Sequence, residues 1–152
     1  MSEYQVLSRL LGLAHVQVVG YEMVGQGRIH VQIETTLAAA MCAQCRQISQ
    51  TVHETSRPQL IRDLPLWGRQ CWLHYAPRRF KCACCANTFV EQVVWREAGL
   101  SYTQRYEQSL YERMRCEPIA QVAQSEGLSE EAAQGIFTRW AKKSSPNAAI
   151  RR

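Results

Sequence analysis

Two short cysteine pairs, Cys42-Ala-Gln-Cys45 and Cys82-Ala-Cys-Cys85, are separated by thirty-six residues and constrain this chain more than any other feature. A two-residue gap lets the backbone turn tightly, so that both sulfurs of one pair face the same metal at about 2.3 Å. Two such pairs close one tetrahedral four-thiolate site, and the long insert supplies strands that set the second pair opposite the first. The extra thiol Cys84 leaves the register slightly open, but Cys82 with Cys85 keeps the two-residue spacing. Two disulfides, or a redox C-x-x-C, are the competing readings. The expectation is one structural zinc ion held by Cys42, Cys45, Cys82 and Cys85.

The rest of the composition agrees with a reducing compartment. Seven cysteines, an odd number, fit poorly with a secreted disulfide framework. The sequence shows neither a charged-then-apolar leader nor an apolar run long enough for a bilayer, so the expected location is cytoplasmic, with no membrane partner. Cys71 and Cys116 sit in apolar-periodic segments and read as buried small hydrophobes. His15, His30, His53 and His74 are scattered; His53 or His74 could replace a thiol at the metal, but four well-spaced cysteines already suffice.

The formal charge is +5, and its distribution matters more than its size. Residues 1–45 carry −1, residues 46–105 carry +5 and residues 106–152 carry +1. Fifteen of the eighteen cations are arginine, which pairs bidentately with phosphate and with guanine edges. A basic zinc module points to nucleic acid, and a solvated basic face is the plainer alternative.

Read for organisation, the chain is modular. Tyr4, Leu7 and Leu11 share one side of a short helix ending near Gly12. Segments 16–23 and 28–35 alternate as a hairpin turning at Gly25 and Gly27, 52–56, 70–75 and 89–95 read as further strands, and 78–81 leads into the second knuckle. Arg57-Pro58 interrupts the pattern. Near residue 99 the character changes to helical. Ser101 and Gln104 suggest a capping box, and Tyr102, Tyr106, Leu110 and Met114 follow at four-residue steps. Pro118 opens another helix, Gly127 turns the chain, and Ser129 caps a helix over 129–143 with Ala133, Ile136, Phe137 and Trp140 inward. Ala123 placed four residues before Gly127, with a capped helix following, outlines a helix-turn-helix. The second helix opens on Glu130-Glu131, favourable to the helix dipole but repelled by phosphate.

At these residues the chain resembles a known family. Leu10-Leu-Gly-Leu, the hairpin, Cys42-x-x-Cys45, Arg62-Asp-Leu-Pro65, Arg78-Arg-Phe-Lys-Cys82, Cys85 and Thr88-Phe-Val-Glu91 look like the N-terminal region of ISL-three type insertion-sequence transposases. The resemblance covers most of residues 5–145. It implies a zinc-binding domain ahead of a helix-turn-helix, both serving recognition of terminal inverted repeats, with Cys42, Cys45, Cys82 and Cys85 as ligands. Its positively charged strand falls on Arg78, Arg79 and Lys81. Such transposases continue into a catalytic domain with two Asp and one Glu. This sequence ends at Arg152 and holds one aspartate, Asp63, which between Arg62 and Leu64-Pro65 reads as structural. A two-metal site needs several converging carboxylates, so the chain is expected not to be an enzyme.

The expected fold class is α+β: a small antiparallel β zinc-binding, zinc-ribbon-like domain over 1–98, an all-α helix-turn-helix domain over 99–145, and a flexible tail over 146–152. The expected function is zinc-dependent binding of duplex DNA, with transposon terminal inverted repeats as candidate targets. Arg69, Arg78, Arg79 and Lys81 are expected on the DNA backbone, with Trp67, Trp72 and Phe80 between them as core residues. Gln134, Thr138 and Arg139 are the candidates for base contact, with Lys142 and Lys143 holding phosphates. A homodimer or a larger transposase complex is the expected assembly, in bacterial cytoplasm and associated with the nucleoid when bound to DNA. The alternative is a zinc-stapled protein–protein interaction or transcription-regulatory module; structured RNA is less favoured, since no aromatic RNP strands are evident.

Overall fold

Ser2 opens the first element by accepting a bond from the Gln5 amide while the Gln5 side chain accepts from the Ser2 amide, a complete capping box. In the computed structural model, which describes residues 1–145, the helix α1 spans Glu3–Leu11 and ends where Gly12 turns left-handed at φ 66°. The tail expected over 146–152 lies outside the described residues. Two compact units follow one another, Met1–Thr103 and a second beginning at Gln104. The content is α+β, with helices concentrated in the second unit.

In the first unit, β1 (Val16–Val24) and β2 (Arg28–Thr35) form the hairpin that the alternating pattern implies. A register shift between Val18 and Gly20 bends β1. Beyond the hairpin the chain makes β3 (Ala40–Met41), β4 (Ile48–Ser49), β5 (Val52–Thr55), β6 (Gln59–Leu66), β7 (Arg69–Tyr75), β8 (Arg78–Lys81) and β9 (Thr88–Val90). The strands sort into a four-stranded sheet ordered β1-β2-β7-β6, a two-stranded ribbon β3-β4 and a three-stranded sheet β5-β8-β9. Most pairings are antiparallel, but β2 and β7 run parallel, from Arg28 opposite Gln70 to Ile33 opposite Tyr75. A parallel pair needs a long crossover, and residues 36–68 supply it.

One row of this sheet is apolar. Ile29, Val31 and Ile33 from β2 meet Ile61, Cys71, Leu73 and Tyr75 from β6 and β7, with Leu11, Leu13, Val18 and Trp95 closing the cluster. Each fully buried aliphatic side chain here contributes about 1.5–3 kcal/mol. The motif Arg62-Asp63-Leu64-Pro65 lies within β6. Pro65 is tolerated because β6 is an edge strand and the register shifts between Asp63 and Leu66. Asp63 is buried and accepts a bond from Thr103 Oγ1 at 2.7 Å, while Arg62 stacks on Trp72. The backbone of Arg62 pairs with Ser101 and Thr103, so residues 101–103 are extended and the following helix starts at Gln104.

That helix, α2 (Gln104–Met114), buries Tyr106, Leu110 and Met114 at the expected four-residue steps. It packs with α3 (Ile119–Glu126) and α4 (Glu130–Lys143). Pro118 precedes α3, Gly127 closes it at φ 69°, and Ser129 caps α4 by accepting from the Ala132 amide at 3.1 Å. Val122, Ala123, Ala133 and Ile136 fill the centre. Three expectations need correcting. The 89–95 run is a strand only to Val90, with Trp95 turned into the core. Cys116 is exposed, and Trp67 is 76% exposed. Trp67 and Gly68 both have positive φ and form the β6–β7 hairpin turn, which points the indole outward. No helix among the described residues is long and apolar enough to cross a membrane.

Candidate functional site

The two cysteine pairs fold into matching knuckles. In the first, the Cys42 amide donates to Gln47 O at 2.8 Å and the Arg46 amide to Cys42 O at 2.9 Å. In the second, the Cys82 amide donates to Asn87 O at 2.8 Å and the Ala86 amide to Cys82 O at 3.1 Å. The residue after the last cysteine of each pair is left-handed without being glycine: Arg46 at φ 62° and Ala86 at φ 59°. Such a backbone is costly for a side chain and persists where the surroundings fix it. Here it turns the chain so that amides face the sulfurs. The Asn87 side-chain amide donates to Gln44 Oε1 and joins the knuckles.

The four sulfurs lie within 4.8 Å of one another. Cys45 and Cys82 Sγ are 3.4 Å apart, and Cys42 and Cys85 Sγ are 3.7 Å apart. A tetrahedron of zinc–sulfur bonds near 2.3 Å has edges of about 3.8 Å, so the spacing fits a zinc ion. Cys84 is exposed and outside this group, and none of the four histidines belongs to it. His30 and His74 instead face each other across β2 and β7, with Nδ1 and Nε2 2.7 Å apart. Phe80 and Phe89 stack beneath the centre, and Cys42 and Cys82 are 1% and 2% exposed, which shields one side of the metal position from water.

The thiols divide into two kinds. The amides of Cys85 and Cys84 lower Cys82 to about 6, and those of Cys45 and Gln44 lower Cys42. At Cys45 the Gln47 amide favours the thiolate, but the Cys82 sulfur and burial outweigh it and push the thiol up to about 12. At Cys85 the Asn87 amide is likewise overcome by burial and by the Cys82 and Cys42 sulfurs, and the pKa rises. Without metal, each close pair therefore holds one low and one high thiol. A divalent ion displaces the protons that the high thiols retain.

The knuckles are tied to the larger sheet through Glu91, which the sequence did not single out except within Thr88-Phe-Val-Glu91. Its buried carboxylate accepts from Arg78 Nε at 3.1 Å, Arg78 Nη2 at 2.8 Å, Tyr75 Oη at 3.0 Å and Thr35 Oγ1 at 2.9 Å. Burial opposes the charge, but the bonds from Arg78, Thr35 and Tyr75 prevail and hold Glu91 below the usual carboxylate range. Arg78 Nη2 also donates to Leu37 O at 2.7 Å, and its guanidinium lies over Phe80.

The residues expected at DNA are thus distributed unevenly. Arg78 is committed to Glu91. Arg79, on the neighbouring strand position, makes an exposed 3.5 Å pair with Glu54, and Lys81 is exposed beside the second knuckle. Arg69 begins β7, whose other end leads to β8; six strand steps, about 20 Å, separate it from Tyr75. It belongs to the Trp67 end of the sheet rather than to the knuckles. In the second unit, Gln134, Thr138 and Lys142 fall on the exposed face of α4, with Thr138 Oγ1 donating to Gln134 O at 2.9 Å. Lys143 lies 4.8 Å from the Trp140 ring centroid. Arg139 turns toward α2: its Nη2 donates to Glu107 at 2.6 and 3.1 Å, and Trp140 Nε1 approaches the same carboxylate at 3.4 Å. Glu107 is buried, a placement that helical periodicity does not reveal for a charged residue.

Comparison with known proteins agrees with the geometry. Residues 38–85 match the family model described as zinc-finger of transposase IS204/IS1001/IS1096/IS1165. Over 95 residues, 62% of this chain, the sequence is 26% identical to a protein of Bordetella parapertussis described as transposase for insertion sequence element IS1001. That match takes in 23% of the relative's length. No solved structure matches the chain significantly. Residues 38–85 thus resemble the zinc-binding region of ISL3-type transposases, and Cys42, Cys45, Cys82 and Cys85 are positioned to bind a zinc ion.

Proposed function

We propose that this chain binds duplex DNA as the end-recognition part of an insertion-sequence transposition system. The four-cysteine centre carries this reading: it resembles the transposase zinc-finger, and its second pair lies in the segment 46–105 that holds the chain's positive charge. Zinc is structural, since four thiolates fill a tetrahedron and leave no position for water or substrate. The metal fixes the end of β8 and both knuckles, which present Arg79, Lys81 and Arg46 to phosphates. In the second unit α3, Gly127 and α4 act as the helix-turn-helix, with Gln134 and Thr138 toward base edges and Lys142 and Lys143 toward phosphates. Arg78 and Arg139 serve by holding those surfaces in place through Glu91 and Glu107. The terminal inverted repeats of an element are the target class. The protein acts in the bacterial cytoplasm, at the nucleoid.

The test is selection of bound duplexes from a random pool by zinc-loaded protein near physiological salt. An enriched motif that is lost in Gln134→Ala supports sequence reading by α4. Retention without enrichment leaves backbone binding alone, and no retention removes the DNA reading.

A second reading rests on a different surface. Val6, Leu10, Tyr21, Met23 and Trp67 line an apolar groove on the first unit, and Leu10, Met23 and Trp67 are exposed large hydrophobics. Exposed apolar groups gathered in a groove favour a protein contact, within a homodimer or a transposase complex. Concentration-dependent sedimentation that vanishes in Trp67→Ser would support it.

A further inference from the structure

Arg96 is a half-buried cation held by neutral groups. Its Nη1 donates to Gln59 Oε1 at 2.7 Å and to Leu100 O at 3.3 Å, and its guanidinium lies 5.3 Å from the Tyr75 ring centroid. Its Nε is buried with no hydrogen-bond partner among the described residues. Arg78, Arg113 and Arg139 each face a carboxylate, at 2.8, 2.8 and 2.6 Å. Among the described residues Arg96 has none within ion-pair distance. Burial lowers its pKa from the ordinary arginine value, with Tyr75 partly offsetting this.

A buried charge without a counter-charge is unfavourable, and the fold gains no ion pair from this one. Replacing it by an apolar residue would remove that cost. The cost is explained if the counter-charge comes from outside. Arg96 lines an open cleft together with Arg79, Gln59, Ser56 and Gly99. Arg79 is held by an exposed 3.5 Å pair with Glu54 and a 3.5 Å bond to Thr88 Oγ1, both long and exchangeable. Two acids also lie on the cleft wall. Glu91 has both oxygens engaged by Arg78, Tyr75 and Thr35, and Glu97 has an interaction of its own. The acids on the wall are engaged elsewhere, and the cleft is left with two guanidinium groups, Arg79 and Arg96, whose donor forks match a tetrahedral oxyanion.

We propose that the cleft between Arg79 and Arg96 binds an oxyanion, and that its occupant is a backbone phosphate of duplex DNA. The choice of occupant rests on the DNA-binding reading; the oxyanion site itself does not. The site gives the zinc unit a phosphate anchor on the segment following β9, adjoining the β5-β8-β9 sheet.

Two probes test this on the full zinc-loaded chain. The first is inorganic phosphate, titrated while the arginine Nε–H resonances are followed by NMR. The second is a bound duplex, with affinity measured across salt for wild type, Arg96→Gln, Arg96→Lys and Arg79→Gln; zinc content and melting temperature certify each fold. Phosphate is expected to shift the Arg96 resonance. Arg96→Gln is expected to weaken duplex binding several-fold and to reduce the slope of log affinity against log salt by about 0.9, one phosphate contact. Arg96→Lys should recover the slope, and Arg79→Gln should lower it if Arg96→Gln does not fold. A folded Arg96→Gln with wild-type slope overturns the DNA assignment, even where phosphate still shifts the resonance. An unmoved Arg96 resonance overturns the oxyanion site. If phosphate shifts Arg96 but the wild type binds no duplex, the DNA reading fails and the oxyanion site stands.

Discussion

The two units are stabilised in different ways. In the helical unit the decisive signals are local: Pro118 before α3, Gly127 at φ 69° after it, and Ser129 on the first turn of α4. In the zinc unit the decisive contacts join residues far apart in sequence. Cys45 meets Cys82, Thr35 meets Glu91, and β2 pairs with β7. Long-range closure costs loop entropy, and a metal that binds the folded site alone offsets that cost. Both units nevertheless use one device. A buried glutamate, Glu91 or Glu107, holds an arginine of the face expected at DNA.

The comparison breaks most sharply at the metal. Cys82→Ser should lower zinc affinity by orders of magnitude and unfold the knuckles, while the helical signal in far-ultraviolet circular dichroism persists; zinc content and NMR dispersion read the loss. A cooperative collapse of both units would show that the helical unit also depends on zinc. Glu91→Ala comes next. It leaves Arg78 without its carboxylate and should destabilise the zinc unit by about 3–5 kcal/mol in chemical denaturation. A core deletion on the other side, Leu110→Ala, should cost about 2–5 kcal/mol in the helical unit and leave zinc binding unchanged.

Acid sharpens the contrast. Glu91 is held below its ordinary pKa, so its stabilisation is present above the unfolded value and is lost as pH falls through the folded one. Zinc is lost in the same direction, because protons compete for Cys45 and Cys85. The zinc unit should therefore weaken first on acidification, and Glu91→Gln should flatten the part of the profile that survives at saturating zinc. The smallest effect belongs to a cap: Ser129→Ala should cost about 1 kcal/mol in the helical unit alone.

Legibility in the sequence follows the same division. The knuckles, the end of the first helix at Gly12, the first hairpin and the α3–α4 turn were readable because each is set by residues within a few positions of one another. Strand β6 was not, since Pro58 and Pro65 mask it and only its place at a sheet edge makes Pro65 acceptable. Its hairpin with β7 uses Trp67-Gly68, which carries little turn signal. The parallel β2–β7 pair leaves no local mark at all. At the site, the cysteine ligands were evident from spacing. The roles of Arg78 and Arg139 were not, because a basic residue looks the same in sequence whether it faces solvent or a buried carboxylate. Arg96 was passed over for that reason too.

The most direct measurement is duplex binding by the intact chain before zinc removal, after chelation and after zinc is restored. The account predicts that affinity for a selected duplex falls at least tenfold, about 1.4 kcal/mol, on chelation and returns with zinc, while Cys42→Ser fails to recover. Affinity unchanged by chelation would contradict it, because the zinc-held surface would then have no part in holding DNA.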